Sequence, residues 1–114
     1  MTTRKLKRVA LTVAISALMA GCVNMATPPS QITATYTSGV KYEFLDCARL
    51  SIEARYLARR ENQLVAAQEE RVKHSDIQAY WFRFGQGDGI EAIHLAHVRG
   101  EKEAVRQAME VKRC

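Results

Sequence analysis

From Cys47 to Lys73 the chain contains neither glycine nor proline. Ala, Leu, Glu, Arg and Gln dominate the run, and all of them favour a helix. Asp46, just ahead of it, supplies a carboxylate able to accept a free backbone N–H at the helix start. Cys47, Leu50, Ala54 and Leu57 recur at steps of three and four. Glu61 interrupts this stripe, Leu64 resumes it and Gln68 weakens it. The result is a heptad-like seam with polar faults, and a seam of this kind needs an apolar partner.

The partner is predicted further along. Ser75 with Gln78 three residues on forms a capping box, so a short second helix is expected over Ile77 to Phe84. Gly85, Gln86, Gly87, Asp88 and Gly89 make a turn by composition. Asp88 with Glu91 is a second capping box and opens a third helix. Its stripe runs through Leu95, Val98, Val105 and Met109, with Lys102 between, and Lys112 and Arg113 suit its C-terminal dipole. Gly100 lies inside it at a cost of about 1 kcal/mol relative to Ala; a close backbone approach would explain it, as would mere tolerance. The expected fold class is all-α, an antiparallel helical hairpin over 46–114 with a short helix at the bend.

Ahead of the hairpin, 22–45 reads as an extended tether that lifts the domain off its support. Asn24 to Gln31 holds two prolines and small polar residues, which favour extended chain. Ile32 to Tyr36, ITATY, alternates like a short strand. After a turn at Ser38-Gly39, Tyr42, Phe44 and Leu45 could fold back as an apolar lid.

The three cysteines divide unequally. Cys47 and Cys114 bracket the folded part, so an intramolecular disulfide is expected, with free thiols or pairing to another protein as alternatives. Closing such a loop stabilises by about 4 kcal/mol in the chain-entropy model. The bridge also constrains the hairpin. One helix from Asp46 to Phe84, of roughly 40 residues against about 24, would leave the two cysteines roughly 20 Å apart at about 1.5 Å per residue. A disulfide needs Cα atoms within about 7 Å. The first helix is therefore expected to end near Lys73. That register sets Leu50 near Val111, Leu57 near Ala104 and Val105, Leu64 near Val98, and Glu61 beside Lys102.

The third cysteine belongs to a different pattern. Arg4, Lys5, Lys7 and Arg8 precede VALTVAISALMA, twelve residues without a charge. A membrane-spanning helix needs about 20. A basic start, a short apolar centre and small residues describe a secretory signal over 1–21. Met19-Ala20-Gly21-Cys22 resembles a bacterial lipobox, with Met where Leu is preferred. The resemblance implies that Cys22 is acylated and becomes the mature N-terminus, a lipid anchor in the bilayer. Val23, rather than Asp, then implies the outer membrane, facing the periplasm. Removing the leader takes four of seventeen basic residues and leaves thirteen against twelve acidic ones. A near-neutral chain has no electrostatic footprint for nucleic acid.

Pro29 to Cys114 as a whole resembles a group of small proteobacterial outer-membrane lipoproteins to which no activity is attached. The shared features are the ITATY segment, an aromatic before Asp46-Cys47, Leu50 with Glu53, a Gly-Asp turn, and LAHVRGEKEAV before a terminal cysteine. Leu95, Ala96, Gly100, Glu101, Glu103 and Ala104 carry that last motif. The resemblance implies a hairpin closed by Cys47 and Cys114.

Two clusters could carry function. Tyr80, Trp81, Phe82 and Phe84 fall within five residues at the bend. They read either as an apolar plug or as a contact surface for a membrane or a protein. Glu91, His94 and His97 recur every three residues, with His74 as a distant third imidazole. These would serve a metal-binding or catalytic lipoprotein, the alternative to the favoured reading. That favoured reading has no catalytic residue, no metal, no cofactor and no nucleic-acid partner. It describes a non-enzymatic envelope lipoprotein, held by acylated Cys22, that docks on an unidentified envelope protein. The disulfide is expected at its membrane-proximal end. A lysis or entry-exclusion lipoprotein is a third possibility.

Overall fold

The computed structural model describes residues 24–114; the expected leader 1–21, Cys22 and Val23 lie outside the described residues. The described chain is all-α. After a single 3-10 turn at Pro29–Gln31 come a short helix α1 (Val40–Glu43), a long helix α2 (Cys47–Phe82) and its antiparallel partner α3 (Ile90–Lys112). Among the described residues there is no strand, and Ile32 to Tyr36 is extended chain laid against a helix.

Helix α2 starts where expected: the Asp46 carboxylate accepts a hydrogen bond from the Arg49 N–H at 2.8 Å. It does not stop at Lys73. It continues unbroken through His74-Ser75-Asp76 to Phe82 and ends on Arg83, whose φ of 58° is left-handed. The Arg83 N–H closes the last turn on the Ala79 carbonyl at 2.8 Å. The expected short separate helix at the bend is therefore the last two turns of α2 itself.

The mismatch in helix length is absorbed without a break. Helix α2 has 36 residues and α3 has 23, so α2 is longer by about 20 Å at about 1.5 Å per residue. The connection Arg83 to Gly89 doubles back along α2 instead of merely turning. Gln86 donates to the Ser75 hydroxyl at 3.1 Å, and Asp88 accepts from Gln68 at 2.8 Å. Seven residues can span at most about 23 Å at about 3.3 Å each, which leaves room for the bends at Arg83 and Gly87 and still absorbs the mismatch. Cys47 and Cys114 then meet, bonded, with Cα atoms 5.5 Å apart. Gly87 makes the return possible: its φ is +70°, and a side chain there would collide with Asn24.

The seam has nearly the expected register. Tyr42, Leu50, Leu57, Val98, Ala104 and Val105 form the buried cluster, flanked by Leu45, Ala54, Leu64, Ala108 and Met109. Glu61 bonds to Lys102, and to Arg99 at 2.8 Å. One pairing fails. Val111 is 84% exposed, and Ala108 and Met109 pack on the cluster in its place. The lid is likewise divided: Tyr42 is buried and Leu45 half-buried, while Phe44 points outward.

The expected free tether is instead a strap. From Asn24 to Leu45 the chain lies along the hairpin, running from the bend toward the disulfide. Its Thr35 N–H reaches the Ala96 carbonyl of α3 at 2.9 Å. Its Thr35 carbonyl then rests against Gly100, where an added Cβ would penetrate the oxygen. Close backbone approach is thus the reason for this helical glycine. Lys41 of α1 pairs with Glu101 and fixes the strap's far end to α3.

Two outcomes follow from this packing. Reducing the Cys47–Cys114 bridge is expected to lower unfolding stability by about 3–4 kcal/mol; urea melts with and without reductant measure it, and coincident midpoints would contradict it. Gly100→Ala sets two effects against each other. Helix propensity alone predicts a gain of about 1 kcal/mol. The clash with Thr35 predicts a net loss of stability, together with new protease cleavage between Thr33 and Tyr36. A stabilised, uncleaved variant would show that the strap is not held there.

Candidate functional site

The bend is where the polar chemistry of the described chain gathers, and it forms from side chains that looked like defects in the helical pattern. Outside its 3-10 turn and α1 the strap is extended, and buried backbone groups there need partners from elsewhere. Ser75, in mid-helix and fully buried, accepts from the Ala26 N–H at 3.1 Å as well as from Gln86. Gln68, also fully buried, donates to the Thr27 carbonyl and to Asp88, both at 2.8 Å. Asp88 takes the Thr27 N–H at 2.7 Å and the Thr27 hydroxyl at 2.6 Å. Arg99 donates to the Pro29 carbonyl at 2.6 Å and to the Ile32 carbonyl, while its Nε holds Glu61.

This arrangement changes the roles assigned to two expected caps. Ser75 does not start a helix; it receives the strap. Asp88 does not cap α3, which begins after Gly89; its carboxylate is turned to Thr27 and Gln68. Glu91, the other half of that expected capping box, pairs with Arg71 at 3.2 Å. Arg71 in turn donates to the Gly87 carbonyl at 3.4 Å and braces the returning loop.

Electrostatics hold the two carboxylates ionised. Burial pushes the Asp88 carboxyl up, but hydrogen bonds from Thr27 and Gln68 and the nearby Arg71 charge outweigh it, so its pKa falls below the ordinary 3.8. Burial likewise raises Glu61, and the hydrogen bonds from Lys102 and Arg99 overcome that, giving a value below the ordinary 4.5.

Beyond the level of Ser75, α2 is covered on one face only, that of Ala79. Ile77, Tyr80, Trp81, Phe82 and Phe84 are between 55 and 79% exposed. The Tyr80 and Trp81 rings meet edge to face with centroids 5.3 Å apart. The plug reading is thereby removed: the bend is closed by Ala26, Ser75 and the glycine loop, and the aromatics project past it. The opposite helix face, Ser75 and Ala79, is the buried one.

The first described residue stands at this same end. The Asn24 side-chain amide donates to the Gly85 carbonyl at 3.3 Å. The chain thus enters the fold beside the aromatic tip and not beside the disulfide, which reverses the expected polarity of the hairpin. Cys22 itself lies outside the described residues.

The histidines are dispersed. His94 and His97 are exposed on α3, and His97 faces Glu101 at 3.9 Å. Among the described residues no three His, Cys, Asp or Glu side chains come together as a metal-holding group. A groove of about 450 Å³ runs over Ala54, Val105 and Met109, rimmed by Arg99, Lys102 and Arg106. Those three cations are paired with Glu61, Glu103 and Glu110. No helix among the described residues is long and apolar enough to cross a membrane. Comparison with protein-family models, with curated proteins and with solved structures gives no match.

Acid should loosen the strap. A lowered carboxylate pKa contributes stability that is complete above the ordinary value and lost as pH falls through the folded one. The Thr27 amide proton shift should therefore titrate with a midpoint below 3.8, and Asp88→Asn should flatten that titration. A midpoint at or above 3.8 would mean that the Asp88–Thr27 contact does not hold in solution.

Proposed function

We propose that this chain is a membrane-anchored envelope lipoprotein with a non-enzymatic, structural or interaction role. The observation that carries the reading is the run from Met1 to Cys22. It combines four basic residues, twelve uncharged ones and a lipobox-like Met19-Ala20-Gly21-Cys22. Acylation at Cys22 would supply two or three hydrocarbon chains. At about 0.8 kcal/mol per buried methylene, these hold a protein stably where one chain would not. Val23 favours the outer membrane and a periplasmic orientation.

The fold supports a passive role. The buried or half-buried Glu61, Gln68, Ser75 and Arg99, with Asp88 at the surface, hold the strap and the seam. A disulfide suits the oxidising compartment that such a leader implies. The molecule is then a stiff two-helix rod, closed by a covalent bond at one end and joined to its anchor by a bound strap at the other.

Mass spectrometry of the native protein tests the anchor. The expected N-terminal peptide begins at Cys22 and carries diacylglycerol plus an amide-linked acyl chain, and Cys22→Ser should accumulate as uncut precursor. Recovery of the intact leader on the wild-type protein would remove the reading.

A further inference from the structure

We propose that the projecting end of α2, centred on Trp81, is a bilayer-docking surface that enters the headgroup region of the membrane to which the protein is anchored. The inference deepens the anchoring reading and rests on it for the identity of the lipid surface.

Three observations converge. The first is where the chain enters the fold. Asn24 is tied to Gly85 and Ala26 to Ser75, so the N-terminal attachment is at the bend. Two residues span at most about 7 Å, so an acylated Cys22 keeps the bend within that reach of the lipid. The second is the overhang. Asp76 to Phe82 rises seven residues past Ser75, about 10 Å of helix at about 1.5 Å per residue. Interfacial segments bury to a depth of about 5–10 Å. The tip is therefore long enough to reach the acyl boundary from the level of the anchor.

The third is its composition. Ile77, Tyr80 and Trp81 share the helix face opposite buried Ser75 and Ala79, and Phe84 lies beside them past the helix end. Trp and Tyr concentrate where one end of a ring is apolar and the other wet. Arg83, exposed between Phe82 and Phe84, adds a cation for anionic headgroups. A protein partner could also take an aromatic surface, but the strap sets this one against the lipid first. Docking at two points, acyl chains and aromatic tip, would fix the tilt of the rod. The Cys47–Cys114 end would then face away from the membrane.

Trp81 is the only tryptophan in the chain, so its emission reports the tip directly. The full acylated protein is reconstituted into phosphatidylethanolamine–phosphatidylglycerol vesicles with and without brominated acyl chains. Flotation and the mass of the Cys22 peptide are read on the same sample. The expected result is loss of Trp81 emission with brominated lipid and protection from aqueous iodide. An Ile77→Ser/Tyr80→Ser/Phe84→Ser variant, helical by circular dichroism and still floating, should lose both effects.

A protein that floats while Trp81 remains open to iodide overturns the proposal and leaves the anchor intact. Trp81 shielded in native membranes but unaffected by brominated lipid in protein-free vesicles also overturns it, in favour of a protein partner. An unmodified Cys22 removes the anchoring reading alone if brominated lipid still quenches Trp81. Without quenching, both fall.

Discussion

The structure depends on a mismatch of length under a covalent constraint. A helix of 36 residues is bonded at its first residue to the chain just past the end of a helix of 23. With that end fixed, the longer helix must overhang at the other by about 20 Å. Two solutions exist: break the long helix, or lead the connection back along it. Breaking it would forfeit backbone hydrogen bonds in a stretch with no glycine or proline to favour the break. Leading the connection back needs only a left-handed residue at each sharp point, and Arg83 and Gly87 provide them. The unpaired backbone of the returning loop then needs partners, and Ser75, Arg71 and Asn24 supply them.

The same side chains explain what could be read from the sequence and what could not. The hairpin, its N-cap at Asp46, the disulfide and the Glu61–Lys102 contact followed from periodicity and from cysteine spacing, because each depends on local pattern plus one distance rule. Ser75 and Asp88 misled because serine and aspartate three residues ahead of Gln or Glu are also what a helix start looks like. Their partners lie 49 and 61 residues away, and no window along the chain contains both. Gln68 and Glu61 read as faults in an apolar stripe. In the fold Gln68 donates to the strap at the Thr27 carbonyl, and Glu61 takes Lys102 and the same Arg99 that holds the strap's Pro29 and Ile32 carbonyls. A polar fault at a core position is therefore a signal, and a proline-bearing segment elsewhere with unpaired backbone groups is the place to look for its partner. Gly100 belongs to the same class: its helix cost was legible, but its cause, the Thr35 carbonyl, was not.

The energetics suit a small object. The buried cluster is six residues, and a hairpin alone has one shared face, so most of each helix remains in water. Below about 70–80 residues a single core rarely suffices, and covalent or additional packing elements are needed. Here the disulfide restrains one end, and the strap adds a third element along much of the seam. Arg99 joins the two contributions. One guanidinium reaches Glu61 on α2 and two strap carbonyls from its place on α3. It ties three segments with a rigid, planar group.

The polarity of the molecule follows from the strap rather than from the hairpin. A hairpin has two ends, and composition alone does not say which one meets the chain's beginning. Had 24–45 been a free tether, either end could have faced the proposed anchor and no orientation would be set. Because Thr27 is clasped by Asp88 and Gln68, slack is removed between the start of the fold and the bend. On the proposed reading, a force or a displacement at the anchor passes directly to the rod. The same polar side chains that compensate for an overlong helix would then also decide which way that helix points.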